Sequence, residues 1–464
     1  MSDSLHTGGK VLVVGLGASG LAAASLLERL GCEPLVTDDT RTPDQCPHPL
    51  PATARFVAPA AARGALGEVT AVVVSPGVPA THALPVEASA AGLPVMSELE
   101  LAARQLEAPL FAVTGTNGKS TCVSLLGDIL ARTDRRVFVG GNLGRPLSNA
   151  VGARYDACVV EVSSFQLEWT DRFKPQVAAV LNLSADHLDR HGDMECYADT
   201  KMRIFARADA GCRAVLGREQ MWWLGRTASL AAPLSTFGST PVGPDRPGMR
   251  FDATERRLTA SDGWTAELGA GWPRAPHDFE NAAAAAEMAR LAGVPADAVV
   301  DAARDFTGLE HRLQLVGVCA GVEYWNDSKA TNVGATVRSV EAFTRPVVLM
   351  LGGVAKGVGF EVLAGWAGSA ASAGRLGHVV AYGEAGASLA DALGEHVPVS
   401  RARGLAEAFG TAVGVARTGD VVLLAPACAS FDEFAGYAER GTAFVRLVER
   451  LKVEGVERDG TSAS

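Results

Sequence analysis

The sequence predicts an α/β protein of three domains, each built on a mainly parallel sheet that helices cover. Short apolar runs recur along the chain, and helical patterns separate them. Continuous apolar runs are typical of strands that are buried on both faces, as in parallel sheets. At 464 residues the chain is too long for one hydrophobic core, and its length predicts about three domains. The runs are VLVV, AVVV, PLFAV, ACVVEV, VAAVLN, VVLML and VVLLA.

The first strand leads into a glycine motif, VLVVGLGASG, with the spacing G-x-G-x-x-G. Gly15 and Gly17 would let backbone amides approach a diphosphate, and Gly20 would let the next helix pack closely on the strand. Asp38 and Asp39 follow about twenty residues later, where a Rossmann fold places a ribose-binding carboxylate. A nicotinamide or flavin site, another diphosphate ligand and a plain strand–turn–helix all remain open from this motif alone.

The next strand ends in a second glycine-rich turn, VTGTNGKST, at residues 113–121. The helix that follows has an apolar stripe, which is the context that a P-loop requires. Lys119 would add a point charge to phosphate oxygens, and Ser120 or Thr121 could ligate Mg²⁺. The spacing is not a full Walker A motif, because Val113 stands where the first glycine would be. The backbone amides expected to hold phosphate belong to Gly115, Thr116, Asn117, Gly118 and Lys119.

Two seams divide the chain into predicted domains of residues 1–97, 98–308 and 309–464. We expect a Rossmann-like first domain, a central P-loop-type ATPase domain and a Rossmann-like third domain. Residues 230–275 are rich in Pro, Gly, Ser and Thr. This stretch is predicted to be an antiparallel β excursion or a long loop inside the middle domain.

Charge and composition exclude several classes of function. The formal net charge of −10 disfavours a nucleic-acid partner or an anionic membrane surface. Eight cysteines form no C-x-x-C pair, which argues against a zinc or disulfide framework. No segment approaches eighteen uninterrupted apolar residues, so we expect a cytoplasmic protein without membrane insertion. We expect it to be a monomer.

Six stretches of the chain, taken in their order, resemble the motifs of Mur ligases, which are ATP-dependent amide-forming enzymes of peptidoglycan synthesis. The resemblance covers nearly the whole chain. It implies addition of glutamate, in its D form, to UDP-N-acetylmuramoyl-L-alanine through an acyl phosphate, with ATP as cosubstrate and two Mg²⁺ ions. NDSKATN together with PACAS is typical of the glutamate-adding branch, whereas GTNGKST is shared more widely. The stretches are GTNGKST, EVSSFQLE, NLSADHLDRHG, GLEHR, NDSKATN and PACAS.

The resemblance assigns catalytic roles to Lys119, Glu161, His187 and Lys201. Glu161 ends a buried strand, where a carboxylate is costly unless it is paired or metal-bound. With Ser120 it would ligate the Mg²⁺ that bridges ATP. His187 would contact a second Mg²⁺ beside Lys201, if that lysine is carbamylated. Asp189 and His191 are expected to be solvated or capping groups rather than ligands.

The resemblance also implies three sets of binding residues. Arg312 would face the phosphates of ATP and Asp327 its ribose. The chain departs from the family at Asp278, which replaces an asparagine and cannot donate as an amide does. The ATP set is Gly115 to Thr121, Asn281, Arg312 and Asp327. The UDP-sugar set is Gly17, Ala18, Ser19, Thr40, Arg41, Gly77, Asn142, Ser163 and Gln166. The glutamate set is Lys329, Thr331, Lys356, Ser430, Phe431 and Tyr437.

Other functions compete with this reading. A sister ligase with the same core would add L-glutamate to the same nucleotide or act as a folylpolyglutamate synthase. A catalytically silent nucleotide-binding regulator would keep the fold without the reaction. An NAD-dependent oxidoreductase would use the first glycine motif, but nothing later in the sequence supplies a hydride-transfer site.

Overall fold

The computed structural model describes residues 7–46, 48–219, 225–243, 247–269, 273, 276–355 and 359–461. Within these ranges the chain forms three β-sheets, each flanked by helices, which confirms the predicted α/β class. Most neighbouring strands run parallel, as the continuous apolar runs predict.

The first sheet is parallel and has the strand order β3-β2-β1-β4-β5. Because β1 lies between β2 and β4, the loops that follow these three strands meet at one edge. The strands are β1 Lys10–Val14, β2 Glu33–Thr37, β3 Arg55–Phe56, β4 Ala71–Val74 and β5 Val95–Ser97. The helices are α1 Ala18–Arg29, α2 Pro59–Ala65, α3 Ala83–Ala90 and α4 Glu98–Ala103, with a 3-10 turn at Pro43–Gln45.

The second sheet has the order β14-β13-β12-β11-β10-β9-β6-β8-β7, in which β6 lies between β8 and β9. Its strands are β6 Leu110–Thr114, β7 Val137–Gly141, β8 Ala157–Glu161, β9 Val177–Val180, β10 Arg213–Gly217, β11 Leu234–Gly238, β12 Gly248–Asp252, β13 Arg257–Ala260 and β14 Thr265–Glu267. Its helices are α5 Lys119–Ala131, α6 Ser164–Leu167, α7 Leu188–His191, α8 Met194–Met202, α9 Pro276–Leu291 and α10 Ala296–Asp305, with 3-10 turns at Leu147–Asn149 and Arg203–Phe205.

The prediction for residues 230–275 is partly wrong. β13 and β14 pair antiparallel, as expected. β11 and β12, however, pair parallel and extend the central sheet beyond β10. The many turn-forming residues between these strands favoured a loop, so the sequence did not indicate that the parallel sheet continues here.

The third sheet has the order β15-β16-β20-β17-β18-β19, with only the β15–β16 pair antiparallel. Alternate residues of β17 face two different cores, so both faces are buried. The strands are β15 Gln314–Cys319, β16 Val322–Asn326, β17 Val347–Gly352, β18 Leu376–Tyr382, β19 Val399–Arg401 and β20 Val421–Ala427. The helices are α11 Val333–Glu341, α12 Glu361–Ser372, α13 Gly386–Leu393, α14 Leu405–Val415 and α15 Tyr437–Thr461.

The chain divides into two compact units. The first contains Met1–Leu183, Arg190–Pro273 and Asp278–Phe306, and therefore the first two sheets. The second contains Ser184–Asp189, Arg274–His277 and Thr307–Ser464, with the third sheet. Across the described ranges, every helix is too short or too polar to span a membrane.

Candidate active site

The first glycine motif forms a tight turn between β1 and α1. Gly15 has φ +104°, and a Cβ on Gly20 would lie 1.8 Å from the Gly15 carbonyl oxygen. These two glycines are therefore required by packing. Gly17 is the N-cap of α1, and a Cβ built on it would meet no described atom within 4 Å. The turn thus presents open space at a helix N-terminus, as a diphosphate requires.

Asp38 organises the loop beside this turn, a role that the sequence analysis did not assign. Its carboxylate accepts hydrogen bonds from the backbone N–H groups of Leu16 at 2.7 Å, Thr40 at 2.8 Å and Arg41 at 2.9 Å. Partial burial opposes ionisation, but these donors lower the pKa of Asp38 on balance. Asp39 instead pairs with His82, whose Nε2 lies 3.0 Å from its carboxylate.

Two other predicted UDP-sugar residues form a capping box at the start of α6. The Ser163 hydroxyl accepts from the Gln166 N–H at 3.2 Å, and the Gln166 side chain accepts from the Ser163 N–H at 2.9 Å. The Gln166 amide nitrogen is buried and makes no hydrogen bond with any described residue. Such a donor is costly unless a ligand satisfies it.

Arg190 connects this helix to the loop that contains Gly77. Its guanidinium donates to both carboxylate oxygens of Glu168 and, at 3.0 Å, to the Pro76 carbonyl. It also stacks over the Phe165 ring at 4.1 Å from the centroid. Arg190 therefore fixes the Pro76–Gly77 loop relative to α6.

The second glycine turn folds as a P-loop before α5. Gly118, the N-cap, has φ +85°, a left-handed conformation that favours glycine. The Lys119 ammonium donates to the Gly115 and Thr116 carbonyls, each at 2.9 Å. The side chain thus curls over the loop at the point where phosphate oxygens would bind.

Two asparagines support the loop from outside. The Asn182 amide accepts from the Asn117 N–H at 2.8 Å and donates to the Asn117 carbonyl at 3.0 Å. The backbone carbonyl of Asn182 accepts from the Thr116 N–H at 3.0 Å. Asn281, a predicted ATP residue, lies so close that a Cβ on Gly118 would be 2.1 Å from its Oδ1. The structure therefore brings Asn281 to the P-loop.

Glu161 lies beside the P-loop because β8 is the neighbour of β6. Its carboxylate is 2% exposed and accepts from the Ser120 hydroxyl at 2.5 Å and from the Asn142 amide at 2.8 Å. Hydroxyl and carboxylate oxygens are the donors that Mg²⁺ prefers. Ser120 and Glu161 therefore fit the predicted Mg²⁺. Asn142, predicted to contact the UDP-sugar, bonds the carboxylate of that pair.

The residues predicted for a second Mg²⁺ are divided between the two compact units. The buried Lys201 ammonium donates to the Gly115 carbonyl at 2.9 Å and lies 4.6 Å from the Tyr197 ring centroid. His187 belongs to the second compact unit and has φ +54°. The neighbouring Asp186 carboxylate accepts from Asn332 of the same unit at 3.0 Å. Within the described ranges no group of three or more His, Cys, Asp and Glu side chains is placed to hold a metal ion.

The expectation that His191 is solvated or capping is wrong. Its side chain is 4% exposed, and its Nε2 lies 3.0 Å from the Ser164 hydroxyl. The ring also packs against Phe165 and Tyr197. It therefore acts in packing between α6 and α8.

The second compact unit groups the predicted nucleotide residues at the carboxyl end of β16. The Asp327 carboxylate accepts from the Ser339 hydroxyl at 2.5 Å. Burial raises the pKa of Asp327, while Ser339 and the charge of Arg312 oppose that shift. Arg312 and Asp327 thus lie close enough to interact, as two residues at one nucleotide would.

The predicted glutamate residues follow three neighbouring strands of the third sheet. Lys329 follows β16, and its ammonium lies 5.0 Å from the Tyr437 ring centroid. Ser430 follows β20 and is 2% exposed, whereas Phe431 is 73% exposed. Thr331 lies in the same loop as Lys329, with its N–H 2.9 Å from the Lys329 carbonyl. Lys356 lies outside the described residues.

Three family models match the chain in sequence order. They are "Mur ligase MurD-like, N-terminal domain" over residues 9–97, "Mur ligase middle domain" over residues 113–241 and "Mur ligase, glutamate ligase domain" over residues 311–428. Together with the P-loop and the Glu161–Ser120 pair, they define an ATP-dependent ligase that forms amide bonds. The chain belongs to the Mur ligase family.

Relatives of this chain indicate which of the Mur ligases it resembles. The chain is 40% identical over 460 residues to the UDP-N-acetylmuramoylalanine–D-glutamate ligase of Acidobacterium capsulatum, which covers 95% of this chain and 96% of the relative. It is 41% identical to the enzyme of the same name from Anaeromyxobacter dehalogenans, over 95% and 97% of the two chains. A pseudomurein peptide ligase type C from Methanothermus fervidus has a similar fold, with a TM-score of 0.60 at 16% identity over 95% and 100% of the chains.

Proposed function

We propose that this chain adds D-glutamate to UDP-N-acetylmuramoyl-L-alanine, with ATP as cosubstrate, in the synthesis of peptidoglycan precursors. The observation that carries the proposal is the P-loop, with Lys119 curled over it and Glu161 bonded to Ser120 beside it. The relatives that match nearly the whole chain bear the name of this reaction.

The chemistry explains why the site needs these groups. A carboxylate does not react with an amine until it is activated, and transfer of the γ-phosphoryl group of ATP to the alanyl carboxylate gives an acyl phosphate. The amine of D-glutamate then attacks the carbonyl carbon, and phosphate leaves from the tetrahedral intermediate. Because the carboxylate and ATP are both anions, fixed positive groups must offset their repulsion. Lys119 and the loop amides are placed for this task.

We assign the first Mg²⁺ to Ser120 and Glu161, on the strength of their adjacent oxygens. When bound, the ion would neutralise charge on the phosphates of ATP. Asn142 holds one oxygen of the Glu161 carboxylate, so that the carboxylate keeps a fixed orientation. A second Mg²⁺ at His187 belongs to the proposal only if Lys201 is carbamylated, because carbamylation replaces a cation with an anionic oxygen donor.

The remaining assignments complete the proposal. The UDP-sugar would bind the loops after β1, β2 and β4, where Gly17, Thr40, Arg41 and Gly77 lie, and would satisfy the orphan amide of Gln166. ATP would also contact Asn281, Arg312 and Asp327, and glutamate would bind the loops after β16 and β20. The domains would span residues 1–97, 98–308 and 309–464. We propose a cytoplasmic monomer, which size-exclusion chromatography with light scattering would test.

A phosphate-release assay tests the function. Release should require ATP, UDP-N-acetylmuramoyl-L-alanine and D-glutamate together, and L-glutamate should not replace the D form. The Lys119→Ala variant should lose activity by roughly 10²- to 10³-fold, because it lacks a charge that acts on the transferred phosphoryl group. Turnover with L-glutamate or with a folate would indicate a sister ligase. Binding without turnover would indicate a regulator.

A further inference from the structure

Arg440 is the largest fully buried side chain of the described residues, and none of the predicted roles uses it. It lies in the first turn of α15 and is 1% exposed. Its guanidinium donates five hydrogen bonds, four of them to backbone carbonyls. The acceptors are the Ser328 hydroxyl at 3.0 Å and the carbonyls of Ser328 at 3.0 Å, Cys428 at 3.1 Å, Ala429 at 3.3 Å and Gly352 at 3.3 Å.

These acceptors lie at the carboxyl ends of three adjacent parallel strands, β16, β20 and β17. Ser328 precedes Lys329 in the chain, and Ala429 precedes Ser430. A parallel α/β sheet binds ligands at this edge, where the chain order of its strands changes direction. One planar guanidinium therefore joins the separate loops that would hold an amino-acid substrate.

Ser328 extends the junction to the aromatic residue of the same site. Its hydroxyl accepts from the Arg440 Nε and donates to the Tyr437 carbonyl at 2.8 Å. Tyr437 carries the ring over which the Lys329 ammonium lies. Loss of the Arg440–Ser328 contact would therefore affect Lys329 in two ways. It would act through the backbone, because Lys329 follows Ser328, and through the Tyr437 ring.

Neutral acceptors surround the buried Arg440 charge. Among the residues that the structure describes, no carboxylate forms an ion pair with Arg440. Burial lowers the pKa of Arg440, and Asp432 is among the groups whose charge opposes that shift; the Asp432 carboxylate accepts from the Glu384 N–H at 3.1 Å. Arginine stays charged in such a setting. A cation solvated by neutral carbonyls is costly to bury, and its retention here is consistent with a role beyond packing.

We infer that Arg440 is a positioning residue for the incoming amino acid: it fixes the loops after β16, β20 and β17 in the arrangement that a dicarboxylate substrate recognises. This inference rests on the proposed function, because the substrate is glutamate only if the chain performs that reaction. If Arg440 were purely structural, changing it would lower the stability of the fold. The affinities for the three substrates would then change to the same extent.

The test compares two conservative variants with a matched control in steady-state kinetics of phosphate release. Ser328→Ala removes the hydroxyl between Arg440 and Tyr437 with little change in volume. Arg440→Lys keeps the charge, but its three donors cannot replace the five hydrogen bonds of the planar guanidinium. Ser400→Ala is the control, because it removes a hydroxyl that lies 2.9 Å from His378 Nε2 at the far edge of the same sheet.

Ser328→Ala should raise KM for D-glutamate about tenfold and Arg440→Lys by at least as much, while KM for ATP and for the UDP-substrate changes less than about twofold. Ser400→Ala should leave all three values unchanged. Equal changes in all three KM values, or a loss of activity that follows only a loss of thermal stability, would overturn the inference. If phosphate release by the wild-type enzyme depended on neither D-glutamate nor L-glutamate, the proposed function would be overturned, and the inference with it.

Discussion

Asn182 supports the phosphate loop through a single side-chain amide that bonds both the N–H and the carbonyl of Asn117. A glycine-rich loop has many conformations when it is unrestrained, and ordering it on binding would reduce affinity. The asparagine holds the loop in advance, because β9, whose carboxyl end precedes Asn182, is the neighbour of β6. We therefore expect it to determine nucleotide affinity without touching the nucleotide.

Asn182→Ala should raise KM for ATP about tenfold, since two hydrogen bonds to the loop are lost, and should leave KM for the UDP-substrate nearly unchanged. Steady-state kinetics at saturating second and third substrates measures both. Asn149→Ala is the matched control, because Asn149 is exposed and lies between β7 and β8 of the same sheet. An unchanged KM for ATP in Asn182→Ala would show that the loop is ordered without this residue.

Asp38 makes the first compact unit sensitive to acid. The folded pKa of this carboxyl is lowered, so its contribution to stability is present in full above the ordinary pKa of an aspartate and is lost as the pH falls through the folded value. In Asp38→Asn the amide cannot accept from Leu16 on one side while accepting from Thr40 and Arg41 on the other. At least one of these N–H groups would lose its acceptor.

The variant Asp38→Asn should lose about 1–2 kcal/mol of unfolding free energy at pH 7. The difference from wild type should shrink as the pH falls into the range where Asp38 becomes protonated. Urea denaturation at a series of pH values measures it. A difference that stays constant with pH would show that the charge of Asp38 does not stabilise the fold.

Residues near a motif were predictable, and residues that act across the fold were not. Lys119, Ser120 and Glu161 stand in patterns whose chemistry is local, and the structure brings them together. Arg440 has no local signal, because an isolated arginine is usually a surface residue. Asn182 begins the stretch NLSADHLDRHG, but its support of the P-loop depends on the neighbouring strand β6. His191 was mispredicted for the same reason: its burial depends on α6 and α8, which the motif does not contain.

Among the elements, α6 is joined to the loop that contains Gly77 through Arg190. It is only one turn long, so its own hydrogen bonds stabilise it little. The capping box at Ser163 and the Arg190 bridge to Glu168 and Pro76 replace that stability. The Arg190 guanidinium therefore contributes to the orientation of α6 relative to Gly77.

Arg190→Lys should raise KM for the UDP-substrate about tenfold or more, because an ammonium cannot bond Glu168 in a bidentate manner and reach the Pro76 carbonyl as well. KM for D-glutamate should stay within about twofold of wild type. Isothermal titration with the UDP-substrate alone provides an independent measurement. Unchanged affinity would mean that α6 holds its place without the bridge.

The elements of the sheets were predicted to different degrees. Apolar runs such as VVLML and VVLLA are buried on both faces, as β17 and β20, and were recognisable for that reason. β11 and β12 are short and separated by turn residues, so their parallel pairing could not be inferred from local patterns. Which strands pair in a parallel sheet depends on the path of the chain between them. A single sequence does not reveal that path.

At the scale of the whole molecule, the residues proposed for the UDP-sugar all belong to the first compact unit, whereas those proposed for glutamate belong to the second. We expect the two units to unfold in separate calorimetric transitions. The UDP-substrate at about 100 times its Kd should add about 2.7 kcal/mol to the unit that binds it and raise only that transition.

Differential scanning calorimetry with and without UDP-N-acetylmuramoyl-L-alanine tests this expectation, with UMP at the same concentration as the control for weaker binding. A single transition, or an equal rise in both, would show that the units are not independent in stability or that the ligand acts on both.

The position of β20 in the third sheet also sets the order in which a newly made chain can become active. This strand lies between β16 and β17, yet it is synthesised about a hundred residues after β16 and follows every other strand of the sheet. Until it leaves the ribosome, β16 and β17 have no partner to join them, and α15 with Arg440 emerges later still. The proposed amino-acid site can therefore form only after β20 and α15 have been synthesised, so that a shorter nascent chain would hold the phosphate loop without the proposed site for glutamate.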